Sequence, residues 1–126
     1  MRCVFKTKTF DPWVRRVGLK DSALRVAVTE MLSGQIDAHL GGGIVKKRVA
    51  LPGRGKSGST RTLIATNMGT RWYFVFGFEK NERDNIAADE LAALKRLATD
   101  LLKLTDPQIS TALSAGTLSE ISGDES

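Results

Sequence analysis

Three basic side chains with a regular spacing carry the clearest chemistry in this sequence. Lys46 and Arg48 stand two positions apart in the run IVKKRVAL, and Arg61 opens the later run TRTLIATN. Residues two apart in a strand point to the same face, opposite to the apolar residues of that run. If the two runs pair as a hairpin, Arg61 reaches this face as well. Guanidinium and ammonium groups on one surface suit phosphate, because they neutralise its charge and donate hydrogen bonds.

Further cations extend this predicted phosphate-binding surface. Lys47 falls on the apolar side of the strand by parity, so we expect it near the sheet edge with its ammonium reaching solvent. Arg83 completes the candidate catalytic set with Lys46, Arg48 and Arg61. The other predicted RNA- or phosphate-binding residues are Arg54, Lys56, Lys80 and Arg71.

The distribution of charge supports a polyanionic partner. The chain has a net charge of +5 and a pI of about 9.7. Between Ala38 and Phe78 all the charged residues are basic, whereas after Lys103 all are acidic. A surface that uses lysines only for solubility is the alternative, but such surfaces mix both signs. A central block of one sign is typical of proteins that bind phosphates.

The stretch ALPGRGKSG at residues 50–58 fits a relaxed nucleotide-binding loop, in which Gly-Lys-Ser follows a small residue after four positions. Such a loop needs a helix directly after it, because the helix N-terminus and backbone N–H groups hold the phosphates. Here Gly58 follows at once, and the β-branched run STRTLIATN predicts a strand. The chain also has no room for βαβ units. We therefore predict a glycine-rich hairpin loop and no nucleotide site.

Length and composition limit the class of protein. A chain of 126 residues with 41% hydrophobic and 26% charged residues is typical of one globular domain. With a single cysteine, Cys3, and a single histidine, His39, it predicts neither an internal disulfide nor a zinc site. We expect no metal and no cofactor. No apolar run approaches the roughly 18 residues of a membrane helix, so we expect a cytoplasmic protein without membrane contact.

The order of predicted elements indicates an α+β domain. A short N-terminal strand precedes two helices, and Gly18 and Gly34 end these helices. IVKKRVAL, TRTLIATN and RWYFVFGF predict three antiparallel strands, and IAADELAALKRLATDLLKL predicts an amphipathic helix. We expect the helices to pack on one side of the sheet and leave the other face open. Residues 1–104 form the predicted domain, and residues 105–126 a short helix and an acidic flexible tail, frayed from Thr117.

The segment LGGGIVKKRVALPGRGKSGSTRTLIA, followed by FVFGFEKNERDNI and a leucine-rich helix, resembles the RelE/ParE superfamily of bacterial toxins. The likeness is greatest to the HigB-like, RelE-type toxins of type II toxin–antitoxin systems, and it covers nearly the whole chain. GxGKSGxxRT and KNER are specific in combination, whereas either alone would be weak. The resemblance implies a RelE-like α+β fold with an N-terminal strand, a two-helix hairpin, a twisted antiparallel sheet and a C-terminal helix.

The resemblance also implies an activity and partners. RelE-type toxins are mRNA interferases, endoribonucleases that bind and cleave messenger RNA, commonly in the decoding site of the 70S ribosome, and so inhibit translation. A cognate antitoxin holds them inactive, and in HigB-type pairs it is usually a helix-turn-helix DNA-binding protein. The family's paired basic residues on a central strand correspond to Lys46 and Arg48, and its next-strand arginine to Arg61. Its basic segment before the last helix corresponds to Lys80 and Arg83.

The chemistry of RNA cleavage suggests roles for these side chains. RNA contributes its own nucleophile, the 2′-hydroxyl, so the protein must move protons and neutralise the phosphate. We expect Arg61 to stabilise the phosphate with help from Arg48. Lys46 is the candidate base, because neighbouring cations disfavour a protonated amine. Lys80 or Arg83 would hold the leaving side.

Two departures from the family pattern keep alternatives open. Asn81 and Ala87 stand where relatives often carry a further arginine and then a tyrosine or histidine, so the family's proton-transfer residue has no obvious occupant. One alternative is a ParE-like toxin that inhibits DNA gyrase, against which the basic cluster argues. The other is a non-catalytic basic module that binds nucleic acid.

Overall fold

The described part of the chain forms a six-stranded mixed sheet with helices on both faces. The computed structural model describes residues 3–51, 60–80, 82–83 and 85–121. Its elements, in chain order, are β1 (Cys3–Thr7), α1 (Phe10–Val17), α2 (Asp21–Leu32), β2 (Ala38–Gly41), β3 (Ile44–Val49), β4 (Thr60–Thr66), β5 (Arg71–Glu79), α3 (Ala88–Leu102), α4 (Asp106–Ala115) and β6 (Leu118–Glu120). The predicted α+β class is confirmed and the predicted elements occur in the predicted order, whereas β2 and β6 are strands that the sequence did not predict.

The strands lie in the order β2-β3-β4-β5-β1-β6. β3, β4 and β5 form the antiparallel meander that the three period-two runs predicted. A strand therefore follows the glycine-rich stretch, as expected for a hairpin and not for a nucleotide-binding loop. β1 pairs with β5 in parallel, so the sheet is mixed and not wholly antiparallel. Parallel neighbours need a long crossover, and the chain makes it through α1, α2 and the first strands of the meander.

The predicted helical hairpin is present between β1 and β2. Pro12 lies in the first turn of α1, and Gly18 ends the helix with a left-handed φ of 83°, its N–H donating to carbonyl oxygens one turn back. The buried stripe of α2 consists of Leu24, Ala27, Val28 and Met31. This stripe packs α2 against the sheet.

Both faces of the sheet are covered, contrary to the expectation of one open face. α1 and α2 pack on one side, where Val14 and Leu24 meet Ile64 and Trp72. α3 and α4 pack on the other side, where Ala98, Leu101 and Ile109 meet Leu63 and Tyr73. The central strands are apolar on both faces, so each face needs a helical layer to remove it from water. We call these layers the α1/α2 core and the α3/α4 core.

A β-bulge in β5 changes which residues face which core. Leu63 pairs with Phe76 but Ile64 pairs with Phe74, so Val75 is an extra residue in β5. Beyond the bulge the parity is inverted, and Phe76 packs on the α3/α4 side together with Phe78, whose ring centroid lies 6.2 Å away. Gly77 consequently faces α1.

The C-terminal region is more ordered than the sequence suggested. α4 is the predicted short helix, and the Thr105 hydroxyl accepts a hydrogen bond from the Gln108 N–H at its start. The expectation of fraying from Thr117 is wrong for Leu118–Ile121. β6 pairs with β1 in antiparallel fashion, and Leu118 and Ile121 are buried. These apolar side chains stabilise the strand because they enter opposite cores.

Candidate functional site

The cations predicted to share a face of the sheet do so. Arg48 lies opposite Arg61 and Lys46 lies opposite Leu63 in the β3–β4 ladder. Cross-strand partners project to the same side of a sheet, and Leu63 is buried in the α3/α4 core. Lys46, Arg48 and Arg61 therefore belong to the α3/α4 face, where all three remain partly or fully exposed. Their common face is observed, and their catalytic roles stay predictions.

Arg61 occupies the centre of this group. Its cross-strand partners are Arg48 on β3 and Phe78 on β5, so a second cation flanks it on one side and an aromatic ring on the other. Its Nη1 atom is buried and has no hydrogen-bond partner within the described ranges. A buried donor without an acceptor is costly. An anion bound beside Arg61 would supply the acceptor.

Lys46 and Arg48 differ in their counter-charges. The backbone N–H of Arg48 donates to Asp37 Oδ2 at 2.6 Å, and Arg48 Nη2 lies 3.9 Å from Asp37 Oδ1. Asp37 thus provides a hydrogen-bond acceptor for a backbone N–H of β3 beyond the point where the pairing with β2 ends. Lys46 is half-buried, and in the described part of the chain its ammonium has no carboxylate partner. Among the three cations of this face, Lys46 and Arg61 are therefore the two that pair with no carboxylate of the described residues.

Arg83 adds a fourth cation from the segment that follows β5. Its guanidinium carbon lies 5.7 Å from the centroid of the Phe76 ring, and Phe76 is the cross-strand partner of Leu63. Arg83 therefore covers the same face as Lys46, Arg48 and Arg61. We refer to these four residues as the basic patch.

Glu90 of α3 binds Arg83 through both carboxylate oxygens. Arg83 Nη1 donates to Glu90 Oε1, and Nη2 donates to Oε2 at 3.4 Å. Oε1 also accepts the Ala87 N–H at 3.0 Å, so the same carboxylate satisfies a free donor at the start of α3. The hydrogen bond from Arg83, followed by that from Ala87, lowers the pKa of Glu90, and the bond to Glu90 raises the pKa of Arg83.

Lys47 lies on the opposite face from its two basic neighbours. Parity placed it there correctly, but the expectation that its ammonium reaches solvent is wrong. Lys47 is only 6% exposed, and its Nζ lies 3.0 Å from Glu30 Oε1 of α2. α2 covers this part of β3, and its residue Glu30 provides the counter-ion of Lys47. This arrangement separates Lys47 from the basic patch.

Arg71 is also separate from the basic patch. Its Nη1 donates to the Tyr73 hydroxyl at 3.1 Å and to the Leu104 carbonyl at 3.0 Å, while Nη2 lies 3.0 Å from Asp106 Oδ1. It begins β5, whereas Phe78 near the other end flanks Arg61, a separation of about 20 Å along the strand. Arg71 links β5 to the start of α4. Burial outweighs this contact with Arg71 and raises the pKa of Tyr73.

Of the three remaining residues predicted to bind RNA or phosphate, the structure describes only Lys80. Lys80 is exposed directly after β5, near the turn that leads to Arg83. Arg54 and Lys56, and the departure at Asn81, lie outside the described residues.

Sequence reasoning missed the acidic partners of the basic patch. Asp37 directly precedes β2 and Glu90 lies in α3, and neither belongs to a basic run that would draw attention to it. One signal was available for Glu90, since an acidic residue at the third position of a helix commonly accepts the N-cap N–H. Its bond to Arg83 needed the folded chain.

The described residues contain neither a group of metal ligands nor a membrane-spanning helix. In residues 3–51, 60–80, 82–83 and 85–121, no three His, Cys, Asp or Glu side chains are grouped closely enough to bind a metal ion. None of the described helices combines the length and apolar character needed to cross a bilayer.

Comparison with known proteins places this geometry in a family. No curated protein matches the chain. Residues 1–121 match the family described as RelE toxin of RelE / RelB toxin-antitoxin system. The match includes the elements that form the basic patch and continues through α4 and β6. Over this length it shows that the chain belongs to the RelE toxin family, whose members act in toxin–antitoxin systems with a cognate antitoxin.

Proposed function

We propose that this toxin is an mRNA endoribonuclease that acts on translating ribosomes. The observation that carries the proposal is the buried Nη1 of Arg61 at the centre of the basic patch, which has no hydrogen-bond partner among the described residues. Phosphate oxygens are the acceptors that such a donor lacks, and arginine binds phosphate through paired hydrogen bonds. The ammonium of Lys46 on the same face, which pairs with no carboxylate of the described residues, favours a polyanionic strand over a neutral ligand.

In the proposed reaction the 2′-oxygen of the RNA attacks the adjacent phosphorus, and the bond from phosphorus to the 5′-oxygen breaks. The Lys46 side chain is the proposed base that takes the proton of the 2′-hydroxyl, and water or an ammonium group returns a proton to the leaving 5′-oxygen. The products are a 2′,3′-cyclic phosphate and a 5′-hydroxyl end. Arg61 and Arg48 neutralise the pentavalent phosphate, and Arg83 contacts the leaving side. These steps need no metal ion, because side-chain cations neutralise the phosphate.

The proposed function includes two partners, the ribosome and an antitoxin. Alignment of the messenger strand by the ribosome would lower the barrier by restricting the reacting atoms to one geometry. For the cognate antitoxin of this family member, we propose a helix-turn-helix DNA-binding protein, on the basis of the resemblance of the sequence to HigB-like toxins.

One experiment tests the function against its rivals. Purified toxin is added to a translating extract and the ends of a reporter mRNA are mapped, with a gyrase supercoiling assay in parallel. We expect breaks phased with the codons, and Arg61→Ala should lower the cleavage rate by roughly 100- to 1000-fold, as for other lost oxyanion donors. Arg96→Ala, which removes an exposed arginine of α3, is the matched control and should cleave like the wild type.

The other outcomes separate the alternatives. Loss of supercoiling without RNA breaks would establish a gyrase inhibitor. Binding of RNA with neither effect would establish a non-catalytic module. Cleavage of free mRNA at the same rate as ribosome-bound mRNA would remove the ribosome from the proposal and leave the nuclease activity in place.

A further inference from the structure

The contact between Arg83 and Glu90 leaves part of the guanidinium available. A guanidinium has five N–H donors, and the two contacts with Glu90 use one donor on each terminal nitrogen. The remaining donors are the Nε–H and the second hydrogens of the terminal nitrogens. An adjacent pair of these donors matches two oxygens of a phosphate. Arg83 can therefore bind Glu90 and a phosphate together.

Arg83 is held on more than one side. The Phe76 ring supports its guanidinium at 5.7 Å, and Glu90 contacts the terminal nitrogens. Glu90 is itself fixed because its Oε1 accepts the Ala87 N–H at the first turn of α3. The side chains of Arg83 and Glu90 remain 39% and 35% exposed, so a substrate can reach the pair. A long, flexible arginine is in this way oriented before any substrate binds.

We propose that Glu90 is a positioning residue for RNA cleavage, which orients the Arg83 guanidinium over Phe76 so that its free donors meet the RNA phosphate beside Arg61. The inference rests on the proposed function and adds a residue to it. The lowered pKa of Glu90 agrees with a carboxylate that stays ionised at neutral pH and keeps its bond to Arg83. The opposite possibility is that Glu90 competes with phosphate for Arg83 and restrains the toxin.

Glu90→Gln is the informative substitution. Glutamine also accepts the N-cap N–H at this helix position, so α3 should form as before, but the ionic contact with Arg83 is lost. We expect the single-turnover cleavage rate to fall by roughly 10- to 100-fold, as for a misplaced catalytic contact. Affinity for an uncleavable RNA with 2′-deoxyribose at the cut site should stay the same or increase, because a negative charge is removed. A merely structural defect would weaken both.

Two comparisons complete the test. Arg83→Ala should lower the rate, and adding Glu90→Gln to it should lower the rate no further, because Glu90 acts through Arg83. Glu120→Gln changes the charge equally on β6, an edge strand that pairs with β1 and not with β3, β4 or β5, and should leave the rate unchanged. A Glu90→Gln protein as fast as the wild type or faster, or multiplicative effects in the double variant, would overturn the inference. If the wild type cleaves no RNA, the proposed function itself fails, which is a different result.

Discussion

Arg48 and Arg61 stand directly opposite each other in the antiparallel β3–β4 ladder. Their Cβ atoms are therefore about 4.5–5.5 Å apart, and like charges in such a pair destabilise a sheet. Asp37 Oδ1 lies 3.9 Å from Arg48 Nη2, and no carboxylate of the described residues pairs with Arg61. Residues that lower the stability of a fold are expected where a protein binds a ligand of opposite charge.

This pair predicts an increase in stability when one charge is removed. We expect Arg61→Thr to raise the free energy of unfolding by about 0.2–1 kcal/mol at low ionic strength, because the repulsion is lost and threonine suits a strand. Urea denaturation measures the change. In high salt the gain should shrink, since salt screens exposed charges. A marked loss of stability would mean that Arg61 supports the fold and that its charge is not the dominant effect.

Replacement by methionine should affect RNA binding differently at the adjacent residues Lys46 and Lys47. Lys46→Met should weaken RNA binding and make the plot of log affinity against log salt less steep by about one unit. Lys47→Met should leave RNA binding unchanged, because Lys47 faces α2 and pairs with Glu30. The substitution leaves Glu30 without its partner, but the Glu30 side chain is 41% exposed, so water can solvate it and the cost should be smaller than for a fully buried pair. Equal losses of affinity in both variants would contradict the assignment of Lys47 to the opposite face.

The face shared by Lys46, Arg48 and Arg61 could be predicted because it depends only on strand periodicity and on a hairpin. These are local properties, and the structure retains them. The environment of Lys47 could not be predicted, since its partner Glu30 belongs to a helix that meets β3 only in the folded chain. The alternation of side chains along β3 predicted the correct side of the sheet for Lys47, but it could not predict that α2 covers that side.

The bulge at Val75 marks a second limit. Simple alternation from Tyr73 would place Phe76 and Phe78 on the α1/α2 side, away from the basic patch. The extra residue inverts the parity and brings both rings beside Arg61 and Arg83. A run such as RWYFVFGF is apolar on both faces, so its hydrophobic pattern contains no signal for the inversion.

Gly77 is predicted to be intolerant of a side chain because the bulge directs it at α1. A Cβ at this position would lie 2.3 Å from Cζ3 of Trp13. We expect Gly77→Ala to lower the free energy of unfolding by about 1–3 kcal/mol through overpacking. Gly69→Ala is the matched control, because its nearest contact is Asn67 Oδ1 at 3.6 Å, and should change stability by less than about 0.5 kcal/mol. Trp13→Leu should relieve the cost of Gly77→Ala, and additive effects would contradict this contact.

Tyr73 should ionise at higher pH in the folded protein than in the unfolded chain. Burial raises its pKa, and Arg71 opposes the shift through a hydrogen bond and its charge. Because this is the only tyrosine in the chain, the phenolate absorbance during a pH titration reports Tyr73 alone. We expect a midpoint above about 10 in the native state and near 10 in urea. Since the folded state retains the proton more strongly, its contribution to stability is complete below pH 10 and is lost as pH rises through the folded pKa. Arg71→Gln should raise the midpoint further, whereas a lower midpoint would show that Arg71 does not stabilise the phenolate.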